Sequence, residues 1–165
     1  MDSRHDLELK DRKEICREIT KILSGRQEII FTYIFGSFVA DPSFHDIDIG
    51  VFIKKDWLVK QSFLDYQISL EIELEKDIPF FMDVKVLNEA PIPLCHSASD
   101  GIVLFCRDEE ARYDWMEKIW DTYLDMQYFL RNSLYDLLLT LPEGDGGESG
   151  DGSLTHWESG RWGQA

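Results

Sequence analysis

Between Asp6 and Ser24, Ile15, Ile19, Ile22 and Leu23 recur at helical spacing among charges. That pattern predicts an amphipathic helix, with Gly25 placed where a C-terminal cap belongs. Glu28 to Phe35 (EIIFTYIF) is rich in β-branched and aromatic residues and predicts a buried strand, which Gly36-Ser37 ends abruptly. Asp41-Pro42-Ser43 marks a turn, and Asp46 to Ile53 (DIDIGVFI) reads as a second strand. The link is short, so the two strands are expected as neighbours in one sheet. Asp56 to Lys76 predicts a helix with Trp57, Leu64, Ile68 and Ile72 among its apolar positions. Pro79 opens a third strand, Phe80 to Leu87. Pro91 and Pro93 start a short helical or irregular segment, Ile102 to Phe105 is expected at a sheet edge, and Asp108 to Leu139 carries a long helical pattern. The alternation of strands and helices predicts an α/β fold: a small mixed sheet with helices on one side and a C-terminal helical segment.

From Pro142 the pattern stops. The last 24 residues hold 7 of the 11 glycines and five acids against Arg161. A folded domain over residues 1–141 and a flexible, Gly-rich acidic tail over 142–165 are expected. Trp157 and Trp162 leave that tail two readings, a weak peptide anchor or incidental sequence. At 165 residues, 44% hydrophobic and 13% aromatic, the chain suits a single globular domain. Its 32 Asp+Glu against 17 Lys+Arg give a formal charge of −15. This argues against direct nucleic-acid binding through phosphate neutralisation and against anionic membranes, and it suits cations or a basic partner. Cys16, Cys95 and Cys106 are widely spaced, which indicates neither a disulfide framework nor a zinc site. With a polar N-terminus and no apolar run long enough to span a bilayer, a cytoplasmic setting is expected.

The candidate chemistry lies in Phe35-Gly36-Ser37 followed by Asp46-Ile47-Asp48. Side chains alternate along a strand, so Asp46 and Asp48 share a face while Ile47 and Ile49 point to a core. Two carboxylates so close repel one another, and a hard oxygen-seeking cation such as Mg²⁺ relieves the repulsion. Gly36 allows close backbone approach, and Ser37 offers a hydroxyl and an N–H to an anion. In Phe81-Met82-Asp83-Val84-Lys85-Val86, Asp83 is one acid in an apolar strand. If that strand lies beside the second, Asp83 joins Asp46 and Asp48 and two metals can be held, the apparatus of in-line phosphoryl or nucleotidyl displacement. Each piece alone has a blander reading, as a solvated rim, a simple turn or an edge-strand charge; their order is the stronger signal. His45 reads as a polar loop residue, His96 has no ligand-spaced neighbour, and Glu71, Glu73 and Glu75 read as a solvated helix face.

These residues resemble a known family. GSFVADPSFHDID, FMDVKVLNEAP and DGIVLFCRDEEARYDWMEKIWDTYLDMQYFLR together look like a minimal nucleotidyltransferase (MNT) of the DNA polymerase β superfamily. The resemblance covers roughly residues 10–135. It implies that Asp46, Asp48 and Asp83 are catalytic and bind magnesium, as two ions, and that Gly36 and Ser37 hold the phosphates of ATP. Small members of this kind are similar to antitoxins that transfer AMP from ATP to a tyrosine of a HEPN-domain ribonuclease toxin. A HEPN toxin partner, and with it a hetero-oligomer, is therefore expected. The loop between Ser37 and Asp46 is shorter than usual and lacks the Arg or Lys often found there; Lys54, Lys55 or Lys85 are candidates to replace it. Two alternatives stand beside this reading: an antitoxin that neutralises its partner by binding alone, and a small-molecule adenylyltransferase of the aminoglycoside type.

Overall fold

The computed structural model describes residues 4–58 and 62–141. In chain order the elements are β1 (His5–Asp6), α1 (Leu9–Ser24), β2 (Ile29–Phe35), α2 (Ser37–Ala40), β3 (Ser43–Phe44), β4 (Asp46–Ile53), α3 (Lys55–Leu58), α4 (Phe63–Asp77), β5 (Phe81–Val86), α5 (Ile92–Ser99), β6 (Ile102–Cys106) and α6 (Glu109–Thr140). The chain divides into two compact units, Met1–Phe129 and Leu130–Ala165. In the second, residues 130–141 are all exposed. The tail expected at 142–165 lies outside the described residues.

The first unit is built on a four-stranded sheet of order β5-β4-β2-β6. β4 runs antiparallel to β2 and parallel to β5, and β6 is antiparallel to β2, so the sheet is mixed as expected. β2 and β4 are neighbours because only α2 and the short β3 separate them. β5 lies parallel to β4 because the helical crossover through α4 returns the chain to the same end of the sheet. Asn88 closes this turn, accepting from the Ile53 amide and donating to the Ile53 carbonyl, both at 2.9 Å.

Helices lie on both faces of the sheet, where the sequence pattern predicted one. Ile34, Ile47, Ile49, Val51, Val84 and Val86 meet Ile19 and Leu23 of α1 and Leu70 and Leu74 of α4 in one core. Phe31, Tyr33 and Phe35 meet Cys95 and Ala98 of α5 and Trp115 and Ile119 of α6 in a second. The reason is β2, which is apolar at every position but Thr32 and therefore needs cover on both sides.

Two further expectations are corrected. The N-terminal helix starts at Leu9, and His5–Asp6 pairs instead with Ser43–Phe44 in a small antiparallel ribbon. His5 packs there against the rings of Phe44 and Phe80, 5.7 and 5.0 Å between centroids. The helix expected over 56–76 is represented by α3 and α4 on either side of residues 59–61, which are not described. Its buried row is Tyr66, Leu70 and Leu74, while Leu64, Ile68 and Ile72 are exposed.

Candidate functional site

The second face of the sheet is covered by α5 and α6 over β2, but β4 and β5 present Asp46, Asp48, Asp83 and Lys85 there. All four are half-buried. The parallel register sets Asp48 directly opposite Asp83. Asp46 lies two residues before Asp48 on the same face. One carboxylate oxygen from each of Asp46, Asp48 and Asp83 lies within 4.8 Å of the other two. The three acids named from the sequence are thus brought together.

Gly36 forms the wall behind Asp48. Its φ of 75° is one that residues with side chains rarely adopt. A Cβ built there would lie 2.2 Å from Asp48 Oδ2 and 3.0 Å from its Cγ, so only a glycine leaves room for the carboxylate. Phe35 pairs with Asp48 across the strands, which sets Gly36 and Ser37 at the same end of the sheet as the acids. Ser37 opens α2, whose turn is closed by the Val39 and Ala40 amides donating to the Gly36 carbonyl at 3.1 Å.

Charge at the site is unbalanced. The Asp48 carboxyl is pushed up to about 6, first by burial, then by the charges of Asp46 and Asp83, and Lys85 only partly offsets this. The Lys85 ammonium is 2.8 Å from Asp83 Oδ1, an ion pair that raises its own pKa. Of the three lysines suggested from the sequence, Lys85 is the one seen at the acids. Three hard oxygen donors on one face, with a single ammonium against them, fit a divalent cation of the magnesium type.

The loop between Ser37 and Asp46 is held from outside by a residue that sequence reasoning missed. Arg12 of α1 donates to the carbonyls of Leu7 (3.2 Å), Asp41 (2.8 Å), Phe38 and Pro42. Its guanidinium also lies over the rings of Phe38 and Phe44, at 5.5 and 5.3 Å. No local signal marks it, since its partners Phe38, Asp41 and Pro42 are 26 to 30 residues away. His45 accepts from Arg4 Nε at 3.2 Å. His96 stacks on Tyr123 at 3.8 Å, outside the acid cluster. The three cysteines form no disulfide.

A mixed sheet that sets a Gly-Ser turn against two carboxylates of one strand and a third from its parallel neighbour defines a site of the nucleotidyltransferase class. The family model described as "Polymerase beta, Nucleotidyltransferase" matches residues 17–110, which include all five of these positions. The chain belongs to that family. Among solved structures, the toxin–antitoxin MntA-HepT is similar at 18% identity and a TM-score of 0.59, over 76% of this chain and 98% of that one. A tri-AMPylated Shewanella oneidensis HEPN toxin in complex with MNT antitoxin gives 18%, 0.59, 77% and 98%. A toxin–antitoxin structure with AMP-PNP gives 19%, 0.61, 74% and 98%. At these identities the likeness is one of fold. No curated protein matches the chain. Among the described residues, no helix is long and apolar enough to cross a membrane.

Proposed function

We propose that this chain is an MNT antitoxin that transfers AMP from ATP to a hydroxyl of a HEPN-domain toxin, a tyrosine being the acceptor, in the cytoplasm. The observation that carries the reading is the cluster of Asp46, Asp48 and Asp83, whose ligand oxygens lie within 4.8 Å of one another beside Gly36-Ser37. The similar folds of an MNT antitoxin with an AMPylated toxin and of a complex with AMP-PNP support it.

In this reading Asp46, Asp48 and Asp83 hold Mg²⁺, as two ions. The metal supplies neutralisation of the triphosphate and a lowered pKa for the attacking hydroxyl. Ser37, through its hydroxyl and the backbone of the turn, binds phosphate oxygens. Gly36 keeps Asp48 against that turn. Asp83 accepts the proton of the acceptor hydroxyl as its oxygen bonds to the α-phosphorus. The bond from that phosphorus to the β-phosphate oxygen breaks, and pyrophosphate leaves. Arg12 fixes the loop that connects the phosphate turn to the acids.

The test is incubation with Mg²⁺, ATP labelled at the α-phosphate and a candidate HEPN-domain acceptor protein. Label is expected on the partner, and Asp46→Asn or Asp83→Asn is expected to remove it by at least about a hundredfold. An unlabelled but stable and inhibited complex would replace transfer by neutralisation through binding alone. Label on a small aminoglycoside-type acceptor instead would move the activity to that class.

A further inference from the structure

The two edges of the sheet are finished differently. At the β5 edge, Gln67, Glu71 and Glu75 of α4 accept from the amides of Val86, Val84 and Met82, each at 2.9 Å. These side chains, one helical turn apart, occupy the outward N–H groups that another strand would use. β6, at the other edge, is Ile-Val-Leu-Phe-Cys, with neither a charge nor a proline among its five residues. Unpaired edges are commonly guarded by such residues. Ile102 is 53% exposed.

Beside this edge runs an open groove of about 730 Å³ between α1 and β6. Its floor is apolar, from Phe38, Ile102 and Leu104 among others. Its rim is Lys13, Arg17 and Lys21, spaced four residues apart along one row of α1. All three are exposed, and none forms an ion pair among the described residues. In a chain of net charge −15, this rim has the opposite sign to the chain as a whole. The groove lies on the α1 face of the sheet, opposite the acids, and reaches the Gly-Ser end of the sheet through Phe38 and Val39 of α2. Ile102 pairs with Ile34 of β2, and the next residue, Phe35, pairs with Asp48 of β4.

We propose that this groove docks an extended acidic segment of the acceptor protein along β6, with its carboxylates on Lys13, Arg17 and Lys21. A neighbouring hydroxyl of the acceptor reaches the acids around the end of the sheet at Ser37. Backbone pairing to β6 supplies affinity, and the basic row selects by charge. The presentation step rests on the AMP-transfer reading; the docking step does not.

Docking is tested by fluorescence anisotropy on the full chain. The probe is a short labelled peptide alternating glutamate with valine, and its control carries lysine for glutamate. The acidic peptide is expected to bind in a salt-sensitive way and the basic one not to bind. Lys13→Glu, Arg17→Glu and Lys21→Glu combined should weaken binding by at least about tenfold. Ile102→Glu alone, at an exposed position, should do the same and guards against misfolding of the triple variant. Asp48→Asn should abolish transfer and leave peptide binding unchanged, whereas a native chain that binds the acidic peptide but transfers no AMP overturns the transfer reading and not the groove. In the transfer assay the triple variant should raise KM for the acceptor and not for ATP. Equal binding of both peptides, or unchanged binding by the triple variant, overturns the proposal. So does roughly tenfold tighter binding once Glu143, Asp145, Glu148, Asp151 and Glu158 are all changed to glutamine, which would make the chain's own tail the occupant.

Discussion

Asp48 is held under two opposed demands. Its neighbours Asp46 and Asp83 and its burial favour a proton, while a cation at the same place favours the carboxylate. The stability consequence has a definite sign. The unfolded side chain ionises near its ordinary value of 3.8, and the folded one only at about 6. Across that interval the folded state holds more protons, so stability falls as pH rises, and the loss is complete above the folded value. Asp48→Asn removes the titration. It should therefore raise Tm over the native chain at pH 7–8 and give little gain at pH 4. Because Asp48 is only half-buried, the gain is about 1 kcal/mol, or ~3 °C. Thermal melts of both proteins without metal check this, and a Tm difference that does not change with pH would reject it. At the same scale, Gly36→Ala would drive a methyl to 2.2 Å from the Asp48 carboxylate at a strained φ. The expected cost is about 1–3 kcal/mol of stability in chemical denaturation, with transfer activity lost beyond what that destabilisation explains.

The helix α4 shows what an element adds. Glu71, Glu73 and Glu75 resemble a solvated face when read along the chain, yet they do two structural jobs. Glu71 and Glu75 accept from amides of the β5 edge, and Glu73 pairs with Arg26. The work asked of Glu71 is acceptance of a hydrogen bond, so Glu71→Gln should keep nearly native stability. Glu71→Ala leaves the Val84 amide without its acceptor and should cost about 1–2 kcal/mol in urea unfolding. Equal losses for both variants would mean that the charge, and not the acceptor, matters. The choice of the buried row in α4 is likewise made outside the helix. Phe63, Leu64, Tyr66, Ile68, Leu70, Ile72 and Leu74 leave α4 apolar on more than one face, and periodicity cannot choose between faces that are both apolar.

For the whole molecule the dominant fact is charge. At −15 the chain repels itself, and screening that repulsion should stabilise it. Raising ionic strength from about 0.01 to 0.15 M at neutral pH shortens the screening length from about 30 to 8 Å. Tm should rise by a few degrees (~1 kcal/mol) over that range. A Tm that falls with salt would mean that attractive pairs such as Arg26–Glu73 and Lys85–Asp83 outweigh the repulsion.

Much of this protein is legible in local pattern, because strand and helix periods are local properties. DIDIGVFI is the strand β4 at its expected bounds, and alternation alone sets Asp46 and Asp48 on one face with Ile47 and Ile49 on the other. The three acids and the Gly-Ser turn are likewise nameable from their order along the chain. What tertiary structure decided are relations between distant segments. The parallel register placed Asp83 opposite Asp48 across 35 residues, bringing the third carboxylate to the other two. The double-sided burial of β2 sent helices to both faces and left the acids uncovered on one. Packing against the sheet selected the Tyr66, Leu70 and Leu74 face of α4. The clasp of Arg12 on the site loop and the basic groove along β6 exist only because α1 lies beside both. No local spacing carries that adjacency, since it is fixed by where the whole chain can bury its apolar surface.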